Sequence, residues 1–382
     1  MGKIYEIATK VFNGGIENDP RDPRENTCRV VSNFDILTNS RKMTPYRDSE
    51  SGDSSASTSQ KQAFVTALRT GTTYSLYALG VKSGDVTAEV LYKNLTTEAA
   101  DDLDDATWAA PSANQSASGT ANFDMFVWYK STSQDLIFGA RNKRQIFAFS
   151  PSGTAWADTA LDMGNFTDFS TTDTSRPVLG LVHSKDNIFY VASQSHVFKN
   201  NNSTWTSGSA AELVFPLTHF ISAMCEYGNF IAFALAPKSG VGSTRVYLWD
   251  RNSSVTTLTE SIDFGEGEIT ILEEVDGYLV AIILAGNSSV RFDNRITFKY
   301  YAGGTIIKKF KEIVSSTTGT TALLTAKQKI NNRLYFAMRA YIGGEQRDGI
   351  WSIGRISDGS FSLVHERTPN NSTALVSGVM NG

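Results

Sequence analysis

The stretch YGNFIAFALA, residues 227–236, sets the reading of the whole chain. A Gly-Asn pair, which accepts the positive φ of a tight hairpin turn, is followed by seven consecutive apolar residues. The run is too short for a core helix and has no 3.6-residue spacing, so it predicts a strand buried on both faces. The same pattern recurs on either side. YSLYALGV begins at Tyr74, DLIFGARN at Asp135, NIFYVASQ at Asn187, GYLVAIIL at Gly277 and RLYFAMRA at Arg333. Asp276-Gly277 and Asn331-Asn332 supply the equivalent turns.

Each of these runs is followed by a second matching strand that places an aliphatic–aromatic pair before a polar turn. Examples are RQIFAFSPSGTAW, SHVFKNNNSTW, TRVYLWDRNSS and NRITFKYYAGG. Written out, the unit is a first strand, a tight turn, a very apolar second strand, a third strand, a polar turn and a weaker fourth strand. A weak fourth strand is expected where one edge meets water. Six such units run from about residue 62 to 366, about 40 to 60 residues apart, which is the period of propeller blades. A single unit cannot bury its own faces, so several must stack around an axis. The expectation is an all-β chain: a β-propeller of six to seven four-stranded blades over residues 62–382, preceded by an extended N-terminal strap and linker over residues 1–61. A β-sandwich gives no reason for a four-strand unit to recur. The last residues, TALVSGVMNG, repeat the first-strand pattern of TALLTAKQKINN from Thr321. Either that segment closes the ring with strands from the N-terminal part or the gene product continues past Gly382. The abrupt stop after a turn favours the second.

At 382 residues, with 41% apolar and 11% aromatic residues, the chain can bury a large core. Its net charge of −4 gives no electrostatic ground for binding nucleic acid or anionic membranes. No apolar run is long enough for a membrane-spanning helix, and the N-terminus lacks the apolar centre of a signal peptide. Cys28 and Cys225 read as two free thiols. The sequons at Asn94, Asn165 and Asn287 read as chance in a Ser/Thr/Asn-rich chain. The acidic run Asp101, Asp102, Asp104, Asp105 lacks the alternating ligands and turning glycine of a calcium loop and reads as solvated.

No catalytic pattern is present. His183, His196, His219 and His365 fall in no metal-ligand spacing, and His183 and His219 read as strand residues with one polar neighbour. Gly265 and Gly267 in DFGEGE have no helix behind them on which a phosphate could sit. A propeller glycosidase would draw its carboxylates from Glu266, Glu268, Glu273, Glu274 and Asp276. The turns at Ser150 and Asn200 faintly resemble sialidase Asp-boxes without their aspartate. Glu273, Glu274 and Asp276 also fit an acidic channel mouth that would let DNA pass without sticking. The basic groups Arg141, Lys143, Arg144 and Lys308, Lys309, Lys311 read as solvated edges. No cofactor and no metal site are expected.

The leader FNGGIENDPRDPRENTCRVVSNFDI, residues 12–36, is of another kind. Each Asp before proline is pushed toward extended geometry, so residues 19–24 predict a polyproline II rod. Asp19 and Asp22 with Glu25 fall on one row, Pro20 and Pro23 on a second, Arg21 and Arg24 on a third. A stiff rod with an acidic and a basic edge suits a strap that docks on a neighbour at low entropic cost. With the segment that follows, including Gly14, Gly15, Asn33, Phe34, Asp35, Lys42, Pro45 and Arg47, the leader resembles those of virion structural proteins of tailed bacteriophages. More loosely it is similar to the opening of podophage tail nozzle (tubular) proteins. That resemblance covers residues 12–48 and implies a non-catalytic structural component of a phage tail, made in the host cytoplasm and located in the virion. It also implies a ring-like homo-oligomer, often a hexamer, around the DNA exit path, in contact with other tail proteins, with DNA met only in passing and no membrane anchor. The glycan-binding alternative would use aromatic loops such as those of Trp156 and Trp205.

Overall fold

The computed structural model describes strand backbones between Phe34 and Arg367, and side chains for most of residues 178–366. Among the described residues it is a β-propeller of six four-stranded antiparallel sheets. In each sheet the strands lie side by side in chain order, so each blade is an up-and-down meander drawn from one continuous segment. Blade 1 runs over residues 60–118, blade 2 over 125–162, blade 3 over 178–214, blade 4 over 219–266, blade 5 over 268–314 and blade 6 over 322–367. The first strands adjoin one another in succession, Gln60–Thr70 by Met125–Ser131, then Val178–Val182, His219–Tyr227, Glu268–Val275 and Ala322–Ile330. They are therefore the inner strands, nearest the axis.

The turns form as their residues dictate. Tyr227 pairs with Phe230, Val275 with Tyr278 and Ile330 with Arg333 across two-residue turns. Gly228, Asp276, Gly277 and Asn332 all have positive φ, between 58° and 80°. The second strands are almost wholly apolar because both faces are covered. In Tyr278–Ala285 of blade 5, Leu279, Ala281 and Ile283 enter the cluster shared with blade 4, where they meet Ala232, Val246 and Phe264. The alternate residues Val280 and Ile282 enter the cluster shared with blade 6, among Phe336, Trp351 and Leu363. Each fully buried Val or Ile is worth about 1.5–3 kcal/mol of hydrophobic transfer. The seam between blades 3 and 4 is filled the same way by Tyr190, Val197, Leu213, Phe233 and Trp249.

Three expectations are sharpened. The fourth strand is slight only in blades 1 and 3, at Ala117–Ser118 and Leu213–Val214; in blade 5 it is the full-length Ile307–Val314. The blade region begins at Gln60, two residues before the expected boundary. Within the leader, Phe34 pairs with Pro45 and Asp35 with Thr44 in a two-stranded ladder of its own. Asn33, the polyproline segment 19–24, Cys28, the acidic run 101–105, Trp205 and the terminal repeat 373–382 lie outside the described residues. Cys225 is a free, buried thiol, its pKa pushed up by that burial.

Candidate functional site

The 1–2 and 3–4 turns of an up-and-down blade lie on the same rim, and on this rim the polar residues of neighbouring blades meet. At the seam of blades 3 and 4, the turn after Val182 carries His183, Ser184, Lys185, Asp186 and Asn187. Asn187 adopts φ 54°, and Asp186 Oδ1 accepts the Ile188 N–H at 3.0 Å, which holds the turn in shape. Blade 4 grips this turn at two points. Glu226, one residue from the end of its inner strand, accepts hydrogen bonds from the Ser184 N–H at 3.0 Å and from the Ser184 hydroxyl. Arg251, just past its third strand, forms an ion pair with Asp186 and donates from Nε to the Asn229 carbonyl at 3.2 Å.

The grip recurs along the rim. In blade 5, Glu274 occupies the position of Glu226 and accepts the Gly228 N–H of the blade 4 turn at 2.9 Å. In blade 6 the equivalent residue is Lys329, which donates to the Glu274 carbonyl at 3.1 Å. The aspartate–arginine pair reappears as Asp276 with Arg355, 3.7 Å apart, and the Arg355 guanidinium lies 5.0 Å from the centre of the Tyr278 ring. The inner strands of blades 4, 5 and 6 thus each end in a side chain that reaches back to the end of the preceding blade's first hairpin. Sequence periodicity cannot show this, because the partners are 42 to 55 residues apart.

The three carboxylates assigned to an acidic mouth are each met by a donor or cation. Glu273 is 2.7 Å from Lys327 and 3.9 Å from Lys329. Glu274 is held by Gly228 and Asp276 by Arg355, so this rim carries mixed charge. Lys327 also donates to Leu272 O of blade 5 and, at 3.3 Å, to Met224 O of blade 4. One ammonium from blade 6 therefore reaches the inner strands of two other blades. Lys327→Met should cost about 2 kcal/mol, because two carbonyls and a half-buried carboxylate lose a shared partner. Chemical denaturation would show this as a lower midpoint at unchanged slope, and Glu273→Gln in the same background should recover part of the loss.

The glycosidase candidates fall into two separate groups, Glu266 with Glu268 and Glu273 with Glu274 and Asp276. Glu266 ends one strand and Glu268 opens the next, whereas Glu273 and Glu274 lie at the far end of Glu268–Val275. Six residues of strand put Glu268 about 20 Å from Glu274. Glu273 and Glu274, being consecutive, point to opposite faces. A glycosidase needs two carboxyl groups within about 5–9.5 Å across one cleft. Among the described residues no group of three His, Cys, Asp or Glu side chains is arranged to hold a metal ion.

The histidines divide. His219 opens a strand beside Thr218, with Oγ1 and Nδ1 2.9 Å apart, as expected. His183 departs from expectation: it follows its strand and is fully buried between two carboxylates, Asp186 and Glu226, each 3.9 Å away. Lys308, Lys309 and Lys311 lie together on the outer strand Ile307–Val314, with Lys309 3.3 Å from Glu312.

No family model matches this sequence, and no curated protein matches it. Among solved structures, the six-bladed propeller lectin of Aleuria aurantia, described with a novel fucose recognition mode, is 12% identical over 80% of this chain and 96% of its own, with a TM-score of 0.40. The WD40 propeller domain of Doa1 is 12% identical over 80% of this chain and 89% of its own, also at 0.40. A Chaetomium thermophilum Polycomb Repressive Complex 2 structure is 9% identical over 75% of this chain and 68% of that one, at 0.46. At these identities the likeness is one of fold.

Proposed function

We propose that this chain is a non-catalytic propeller that works as a rigid binding module, with glycans as its ligand class. The observation that carries the reading is the repeated rim pair, Asp186 with Arg251 and Asp276 with Arg355. A carboxylate and a guanidinium held side by side offer acceptors and donors in fixed positions, which suits adjacent hydroxyls. Their recurrence at two seams suits a ligand that repeats, where a second contact gains from the first. Trp156, at the start of an outer strand on this rim, belongs to the same reading. Fucose recognition is a property of the Aleuria lectin and is not what supports it here. On a glycan array the intact chain should bind a subset of glycans, and Arg355→Ala should weaken that binding about tenfold, a loss of one or two hydrogen bonds. An array without hits would end this reading.

A second reading is favoured by the leader residues Gly14, Gly15, Asn33, Phe34, Asp35, Lys42, Pro45 and Arg47. In it the chain is a structural component of a phage tail, assembled as a ring through its N-terminal strap. In it DNA would pass through a ring of copies, as the resemblance of the leader implies. Deleting residues 1–35 should leave a folded monomer that fails to enter particles. Normal incorporation of the truncated chain would refute it.

A further inference from the structure

The turn joining the first two strands of blade 3 contains a fully buried imidazole whose two nitrogens are not equally served. His183 Nδ1 accepts the Lys185 N–H at 3.3 Å, which fixes the neutral tautomer with its proton on Nε2. Nε2 makes no short hydrogen bond; Glu226 Oε1 is 3.9 Å away, and the Phe230 backbone faces the ring. The surrounding charges are already engaged. Glu226 is held by Ser184, and Asp186 by Ile188 N–H and Arg251. The backbone of the turn closes on the same residue, with His183 N donating to Ile188 O and Asn187 N to His183 O.

We propose that His183 is an acid-sensitive latch: protonation at Nδ1 releases the 183–188 turn and with it the grip of blade 4 on blade 3. The step is a proton gained from solvent and one hydrogen bond lost. Nδ1 changes from acceptor to donor and then faces the Lys185 N–H, donor against donor. Its new proton can be taken up by Asp186 Oδ1, 3.9 Å away, only if Asp186 turns from Ile188 and Arg251. Taking up that proton undoes a contact that defines the seam.

The groups facing His183 are Glu226 and Arg251 from blade 4 and Lys185 and Asp186 from its own turn. Burial is the largest influence and lowers the imidazole pKa; Glu226 and the Phe230 backbone oppose it, while Arg251 and Lys185 add to it. A lowered value means that the folded chain binds fewer protons than the unfolded one. The stability this group contributes is therefore complete above about pH 6.5, the unfolded value, and is lost as pH falls through the lower folded value.

Amide hydrogen exchange of the full chain at pH 7.5 and 5.0, corrected for intrinsic rates, tests the latch. Protection at residues 184–188 and 228–230 should drop about tenfold or more at pH 5.0, and that at 279–283 in blade 5 should not change. In His183→Gln the drop at 184–188 should vanish. Should that variant fail to fold, a histidine titration by NMR on the unaltered chain decides: His183 should titrate below the usual value, and the amides of 184–188 should shift with it. Unchanged protection at 184–188, an equal drop in His183→Gln, or titration at or above the usual value would each overturn the proposal.

Discussion

Gly267→Ala should be the most damaging single-methyl change in the described part of the molecule. Gly267 is the whole connection between blades 4 and 5, since one strand ends at Glu266 and the next begins at Glu268. Its φ is 109°, and a Cβ there would lie 2.7 Å from Ile283 Cγ2 and 2.9 Å from Leu284 O. The second contact is with strand backbone and cannot be relieved by a rotamer change. The carbonyl of Gly267 also accepts the Thr244 hydroxyl, which ties the link to the third strand of blade 4. Backbone strain and overpacking together should cost about 3 kcal/mol or more. Gly228→Ala provides the control: its φ is 58° and nothing lies within 4 Å of the added carbon, so about 1 kcal/mol is expected. Thermal unfolding of the two variants side by side would show the contrast; equal, small shifts would mean that the link does not approach blade 5 as described.

Trp249→Ala should be nearly as costly. The indole is 1% exposed, packs edge-to-face on Tyr190 at 5.8 Å and lies 6.3 Å from Phe233. It thus joins a second-strand residue of blade 3 to one of blade 4, and its removal empties the middle of their shared cluster. A loss of about 3–5 kcal/mol is expected from the transfer and cavity terms. Trp249→Phe should retain more than half of it. Urea unfolding followed by far-ultraviolet circular dichroism would measure both, and an alanine variant within about 1 kcal/mol of the parent would show that the seam is not packed through this residue.

The second strands were legible because burial on both faces leaves no polar position, as in Phe230–Pro237 and Tyr278–Ala285. The hairpin turns were legible because few residues tolerate their φ. DFGEGE was readable only as a glycine pair without a helix; that it links two blades follows from the strands on either side. The rim grips were not legible. Glu226, Glu274 and Lys329 are ordinary strand-end residues until the neighbouring hairpin is brought beside them. His183 misled for the same reason: its carboxylate from blade 4 is 43 positions downstream in the sequence. The length of the outer strand Ile307–Val314 escaped notice because Lys308, Lys309 and Lys311 make its pattern look solvated, although Ile313 is buried.

Among the described residues every sheet is spun from its own uninterrupted span of chain. Neighbouring blades among the described residues are joined by side-chain packing, as at the seams of blades 3 to 6, and not by a shared ladder. In evolutionary terms such a ring is modular. In-frame duplication or loss of one blade leaves the backbone pairing of all the others intact, so copy number can drift at a cost set by curvature alone.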